Sequence, residues 1–256
     1  MESTLIPIRE VLDHADRLFA KEALYEAKCY LREWLSKARQ IKDPFGELGI
    51  LNELMGLYRR TNEMSFALDA VYDGFELVEL MDIDGSITAG TTWLNGATTL
   101  KAFGNSYQAI TYYKRARRIY EARLDRTDYR ISGLYNNMAL CLVDLKQYAD
   151  AEALYNDALD ILFSTDREGN LCDIASTYMN LAYLYEEWDK PELINTSLER
   201  CELALKTNRS TSNGYYAFTL RKCVPGFAHF GWFIAEKRFT ELADAIYEHN
   251  RNEQNN

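Results

Sequence analysis

The chain has 256 residues, 47% of them hydrophobic, with few Gly (13) and Pro (4), a balance that favours a large helical core over a hairpin-rich fold. Its formal net charge of −10 weighs against a general nucleic-acid binder, whose affinity comes largely from Lys and Arg on phosphates. The start MESTLIPIREVLDHADRLF lacks the basic and apolar regions of a signal peptide, no apolar run reaches membrane-spanning length, and the five cysteines form no CxxC pair, so the expectation is a cytoplasmic protein with reduced thiols and no membrane partner.

In chain order, residues 5–41 read as a pair of amphipathic helices, with Ala15 and Leu18 on the inner face of the first and Ala27 and Leu31 on that of the second. The same pattern returns in 45–82 (Met55 and Tyr58, then Ala67 and Val71) and in 86–125 (Ala97 and Leu100, then Ala109 and Tyr113). It returns again in 129–163 (Ala139 and Leu142, then Ala151 and Tyr155) and in 168–206 (Ala182 and Tyr185, then Ile194 and Leu198). Successive second-helix anchors lie 40, 42, 42 and 43 residues apart. A short helix pair with one apolar face per helix cannot bury it alone, so units repeated at this spacing predict stacking against one another. Thr165 to Glu168 reads as a capping box. Residues 208–214, NRSTSNG, read as a linker, and 208–256 as that linker plus a degenerate pair capping the same solenoid. There Phe230, Phe233, Leu242 and Ile246 hold the register loosely, and Pro225-Gly226 is expected to kink or break the first helix.

The small-then-aromatic order of each first helix and the Ala-aromatic-Ala order of each second helix resemble the tetratricopeptide (TPR) family. Trp93, four residues before Ala97, and Gly104-Asn105 at the helix–helix turn fit that resemblance, which covers residues 5–206. The usual TPR period is about 34 residues. Here it is about 42, and roughly eight extra residues add about two helical turns. Long-period repeats of this sort are similar to those of kinesin light chains and bacterial Rap-type peptide receptors. The Cys-x-Pro aromatic segment near the end is most similar to that of stand-alone bacterial TPR proteins. The family's helix-ending Pro is missing. The resemblance implies an all-α, right-handed superhelical solenoid of five antiparallel helix pairs plus a degenerate C-terminal pair, with the first helix of each pair lining a concave groove.

Two residues before the tight contact of each first helix stand Asp13, Glu53, Asn95, Asn137 and Asn180. In the resembling families Asn at this position grips the main chain of an extended peptide, and a carboxamide has the donors and acceptors to do so. The alternative is an inter-helix hydrogen bond or exposed polar filler. By the same register Arg59, Arg60 and Lys101 precede Asp144, Glu186 and Glu187, which would give a groove running from basic to acidic, or else only solvated helix ends. The carboxylate clamp of chaperone-tail binders is absent, its positions being held by Thr91, Leu94, Gly133, Asn136 and Ser176. The basic run Lys114, Arg115, Arg117 and Arg118, with Arg123 and Arg126, falls on a second helix and reads as a solvated outer face. No HExxH motif, Cys-His pairing or phosphate loop is present; Cys223 and His229 on a Pro-containing helix read as core and cap residues. The expectation is a non-enzymatic adaptor without cofactor or metal that binds a protein or extended peptide. The alternatives are a Rap-like peptide-sensing regulator and a scaffold that self-associates through its aromatic C-terminal segment.

Overall fold

The computed structural model describes residues 5–165, 167, 169–208 and 214–253. Asp166 and Glu168 of the expected capping box and residues 209–213 of the expected linker lie outside them, and the box does not start the next helix, which begins at Asn170 with Gly169 as its N-cap. The described residues form twelve α-helices and no strand. They divide into two compact units, Met1–Leu124 and Asp125–Asn256.

The first unit holds α1 (Ile8–Ala20), α2 (Leu24–Ile41), α3 (Pro44–Arg60), α4 (Met64–Leu80), α5 (Ile87–Ala102) and α6 (Ser106–Arg123). Pro44 opens α3, where its missing N–H costs nothing, and the buried Asp43 caps it by accepting from Gly46 N–H at 2.9 Å. The second carboxylate oxygen of Asp43 accepts from Ile6 N–H at 3.1 Å, which ties the chain before α1 to the start of α3. Trp93 of α5 is fully buried and donates to Asp84 at 2.8 Å, with Phe75 and Tyr112 against its ring.

The second unit holds α7 (Tyr129–Asp144), α8 (Tyr148–Ser164), α9 (Asn170–Glu187), α10 (Pro191–Thr207), α11 (Gly214–His229) and α12 (Phe233–Glu253). Within it α9 packs on α10, α7 on α8 and α11 on α12, and α9 also contacts both α7 and α11.

The turn inside each pair has one construction. Glu22, Asn62, Gly104, Lys146, Asp189 and Gly231 all have positive φ, between 54° and 83°. The next residue's N–H reaches back to the carbonyl five residues before it, as in Glu63 to Tyr58 (2.8 Å), Gln147 to Leu142 (2.9 Å) and Trp232 to Phe227 (2.7 Å). This is the Schellman closure, which satisfies carbonyls that a helix end leaves orphaned. Its recurrence every 40 to 43 residues carries the repeat into the sixth pair.

The repeat anchors Ala15, Met55, Ala97, Ala139 and Ala182 of the first helices, and Ala27, Ala67, Ala109 and Ala151 of the second, are all fully buried, whereas Ile194, the fifth second-helix anchor, is only half-buried. Two details of the sixth pair depart from the sequence reading. The helix runs unbroken through Pro225 to His229. Pro225 lies on the exposed side, while the next residue, Gly226, packs on α9 so tightly that an added Cβ would lie 2.3 Å from Met179 Sδ. Packing on that face outweighs the one lost backbone hydrogen bond. The buried face of α12 is Ala235, Phe239, Ala243 and Ile246, not a stripe through Phe233, which is 66% exposed. Ala235, Phe239 and Ala243 stand 84 residues, two repeats, after Ala151, Tyr155 and Leu159, so the repeat register holds, and only Ile246 of the expected set is in the core.

Candidate functional site

In the first unit, the expected groove residues are used to join helices. Asn95 donates from Nδ2 to Asn52 Oδ1 at 2.9 Å, and Asn52 in turn donates to Leu48 O (2.9 Å) and Thr92 Oγ1 (3.0 Å). Arg59 reaches from α3 to α5, donating to Thr99 Oγ1 (3.1 Å) and to the carbonyl of Asn95 (3.3 Å). Burial lowers the Arg59 pKa, and Tyr113 opposes that shift. Arg60 lies apart, paired with Glu22 at 2.7 Å. Lys101 is half-buried at the end of α5. Glu53 is also half-buried, and burial first, then the nearby Asp16, pushes its pKa up. The basic run on α6 is answered locally: Arg115 faces Glu79 and Asp84, Arg118 faces Asp84, and Arg117 pairs with Glu121.

In the second unit, the expected residues converge on two adjoining cavities. The larger, about 490 Å3, lies among α7, α9 and α11, and Asn137 and Asn180 both line it. Asn137 Nδ2 donates back to Gly133 O at 2.9 Å, the usual use of an Asn inside a helix, and its carbonyl oxygen has no protein partner among the described residues. Asn180 makes no hydrogen bond to a described residue, so its whole carboxamide is open to a ligand. Asn136 Oδ1 and Arg167 Nε, on the same wall, are buried without partners. Arg167 otherwise pairs with Asp173, which also accepts from the Tyr215 hydroxyl, and its guanidinium lies 4.4 Å over the Tyr129 ring. Lys222 of α11 completes the wall, so the cavity carries two cations against one carboxylate.

The smaller cavity, about 290 Å3, lies toward the C-terminal ends of α7 and α9. It shares Leu140 and Asn180 with the larger one, and Asp144 and Glu187 line it. Glu186, expected on the same surface, instead meets His229 Nε2 at 2.8 Å. Cys223 is fully buried and His229 exposed, so the two do not form a site.

Arg167, Asp173, Lys222, Tyr215 and Tyr155 were not singled out as site residues from the sequence. Lys222 and Tyr215 stand 42 residues after Asn180 and Asp173, so the repeat spacing is the signal that could have found them. Among the described residues no cluster of His, Cys, Asp and Glu is arranged to hold a metal, and no helix is long and apolar enough to cross a membrane.

A family model described as Tetratricopeptide repeat matches residues 88–162. Comparison with curated proteins finds no match. Among solved structures, BtubC (BKLC) from P. vanneervenii superposes with a TM-score of 0.67 at 20% identity, over 78% of this chain and 80% of that one. A putative kinesin light chain with TPR-like repeats from Podosopora anserina gives 0.55 at 13% identity, over 83% and 95%. NprR in complex with its cognate peptide NprX gives 0.61 at 15% identity, over 93% and 66%. At these identities the likeness is one of fold, an all-α helical repeat.

Proposed function

We propose that this chain of tetratricopeptide repeats is a non-enzymatic adaptor that binds an extended peptide or protein segment along α7, α9 and α11. The observation that carries the reading is that Asn137 and Asn180, one repeat apart, line the same cavity with unspent hydrogen-bonding capacity. A peptide main chain offers alternating N–H and C=O groups. The Asn137 carbonyl can accept one N–H, and Asn180 can both accept and donate. Two further groups on that wall, Asn136 Oδ1 and Arg167 Nε, are desolvated without a protein partner, a state that costs free energy unless a ligand answers it. The excess of cations, Arg167 and Lys222 over Asp173, favours an acidic side chain or a terminal carboxylate at that end. A cavity of this volume falls within the range of ligand sites. The solved structure of NprR with its peptide NprX adds support by fold alone. Asn95 stands outside this arrangement, because its amide already serves Asn52.

The test is a peptide-array and thermal-shift screen, followed by titration of a bound sequence against Asn137→Ala/Asn180→Ala. Each lost hydrogen bond should weaken binding by about 0.5–1.5 kcal/mol, with the free protein still folded. Unchanged affinity in a folded double variant would remove the reading. A second reading, self-association through the C-terminal pair, draws on the 66% exposed Phe233 and 80% exposed Ile234. A solution mass of one chain at high concentration would remove it.

A further inference from the structure

Tyr155 carries one of the buried polar groups of this fold with an unmet need. Its side chain is fully buried on α8, it lines the 290 Å3 cavity, and its hydroxyl has no hydrogen-bond partner among the described residues. The repeat itself explains how that arose. Tyr113, 42 residues earlier, occupies the same register, is equally buried, and donates its hydroxyl to Thr98 Oγ1 at 3.1 Å. The counterpart of Thr98, also 42 residues on, is Leu140, which has no hydroxyl to offer. The exchange of Thr for Leu leaves the second phenol orphaned, and Leu140 is one of the residues lining the cavity. Burial, and secondarily the Asp144 carboxylate, push the Tyr155 pKa up, so this phenol stays neutral.

We infer that the cavity floored by Tyr155 is a side-chain pocket for a neutral residue with an apolar body and a hydrogen-bonding tip, foremost a tyrosine of the bound segment. The inference rests on the peptide-binding reading and deepens it by naming what one ligand position prefers. Leu140, Val143 and Leu184 supply aliphatic wall, and Tyr148 and Tyr183 supply aromatic wall. At 290 Å3 the space is large enough to take one side chain. Asn180 is shared with the larger cavity, so a main chain held there can direct a side chain into this one. An acidic tip would meet Asp144 and Glu187. A cationic tip would be met by the exposed Asp144 and Glu187, but to reach the fully buried Tyr155 hydroxyl it would have to be stripped of water, which is costly for a charge. Phenylalanine would fill the space but leave the phenol unsatisfied, and sites built around a buried polar group discriminate on that basis.

The experiment uses acetylated, amidated hexapeptide pools, each with one position fixed as Tyr, Phe, Leu, Lys or Glu and the rest randomised, titrated against the full chain. The best individual peptide is then compared with its Tyr→Phe analogue. The tyrosine form should bind about five- to a hundredfold more tightly to the wild-type protein. That ratio should fall toward one in Tyr155→Phe, and also in Leu140→Thr, where the introduced hydroxyl gives the phenol an internal partner as Thr98 does for Tyr113. Both variants are checked for native circular dichroism and melting, and either one suffices. Pools that bind without any tyrosine preference, or a preference unchanged in a folded Tyr155→Phe or Leu140→Thr variant, overturn the inference and leave the peptide-binding reading standing. No binding by any pool overturns both.

Discussion

Tyr155→Phe removes a single oxygen from the middle of a fully buried contact, a change that ordinarily weakens a protein. Here the oxygen has no partner among the described residues, so its removal abolishes a desolvation cost of about 1–3 kcal/mol and leaves the ring's packing in place. The substitution should therefore stabilise the free protein. The matched control is Tyr113→Phe at the same register, which deletes a hydroxyl bonded to Thr98 at 3.1 Å and leaves Thr98 short of that bond. It should destabilise by about 0.5–1.5 kcal/mol. The two effects have opposite signs, so their difference is larger than the error of either. Urea unfolding followed by far-UV circular dichroism reads both, provided the slope with denaturant is unchanged between variants. In a thermal scan each kcal/mol corresponds to a shift of about 2–8 °C for units between the small and the large domain sizes. Loss of stability in Tyr155→Phe comparable to that in Tyr113→Phe would refute the reasoning, because it would mean that the Tyr155 hydroxyl is satisfied in solution.

Ala139→Leu overfills a fully buried close approach on α7 and should cost about 1–3 kcal/mol, whereas Ala149→Leu on the exposed side of α8 should change the urea midpoint little; equal midpoints for the two would show the repeat register to be wrong. Deleting residues 214–256 uncovers Met179, against which Gly226 packs, and Leu205, whose carbonyl accepts from the Tyr216 hydroxyl at 2.7 Å. The shortened chain should aggregate, and a soluble monomer by light scattering would make the last pair an appendage. Glu53 has its pKa raised by burial and by Asp16, so the folded state holds this proton more tightly than the unfolded chain does. The stability it contributes is present at acid pH and is lost as pH rises through the folded value. Glu53→Gln should accordingly raise the urea midpoint near neutral pH and leave it almost unchanged below the ordinary carboxylate range; a midpoint lowered at neutral pH would mean that the carboxylate has a favourable partner.

What the sequence determined by itself is the part of the structure that is local and periodic. Buried Ala anchors at steps of 40 to 43 residues mark where helices approach closely, and each pair must cover its neighbour, so spacing alone leads to an all-α helical repeat. The positive-φ residue of each turn follows the same count, even where it is Glu, Asn, Lys or Asp instead of Gly, because closure of the preceding helix demands it. The Asn register was legible on the same terms. What each Asn does was decided by residues about 40 positions away. Asn95 meets Asn52 across two helices and is spent there, while Asn137 and Asn180 line a shared cavity. The continuity of α11 through Pro225 likewise came from packing on Met179 that no local propensity encodes. Tyr155 lies between the two cases. Its sequence partner at the repeat spacing, Leu140 in place of Thr98, was readable, but only the packed structure makes the missing hydroxyl matter. The physical reason is that a polar group is costly only once its neighbours have excluded water, and that exclusion is a property of the assembled helices.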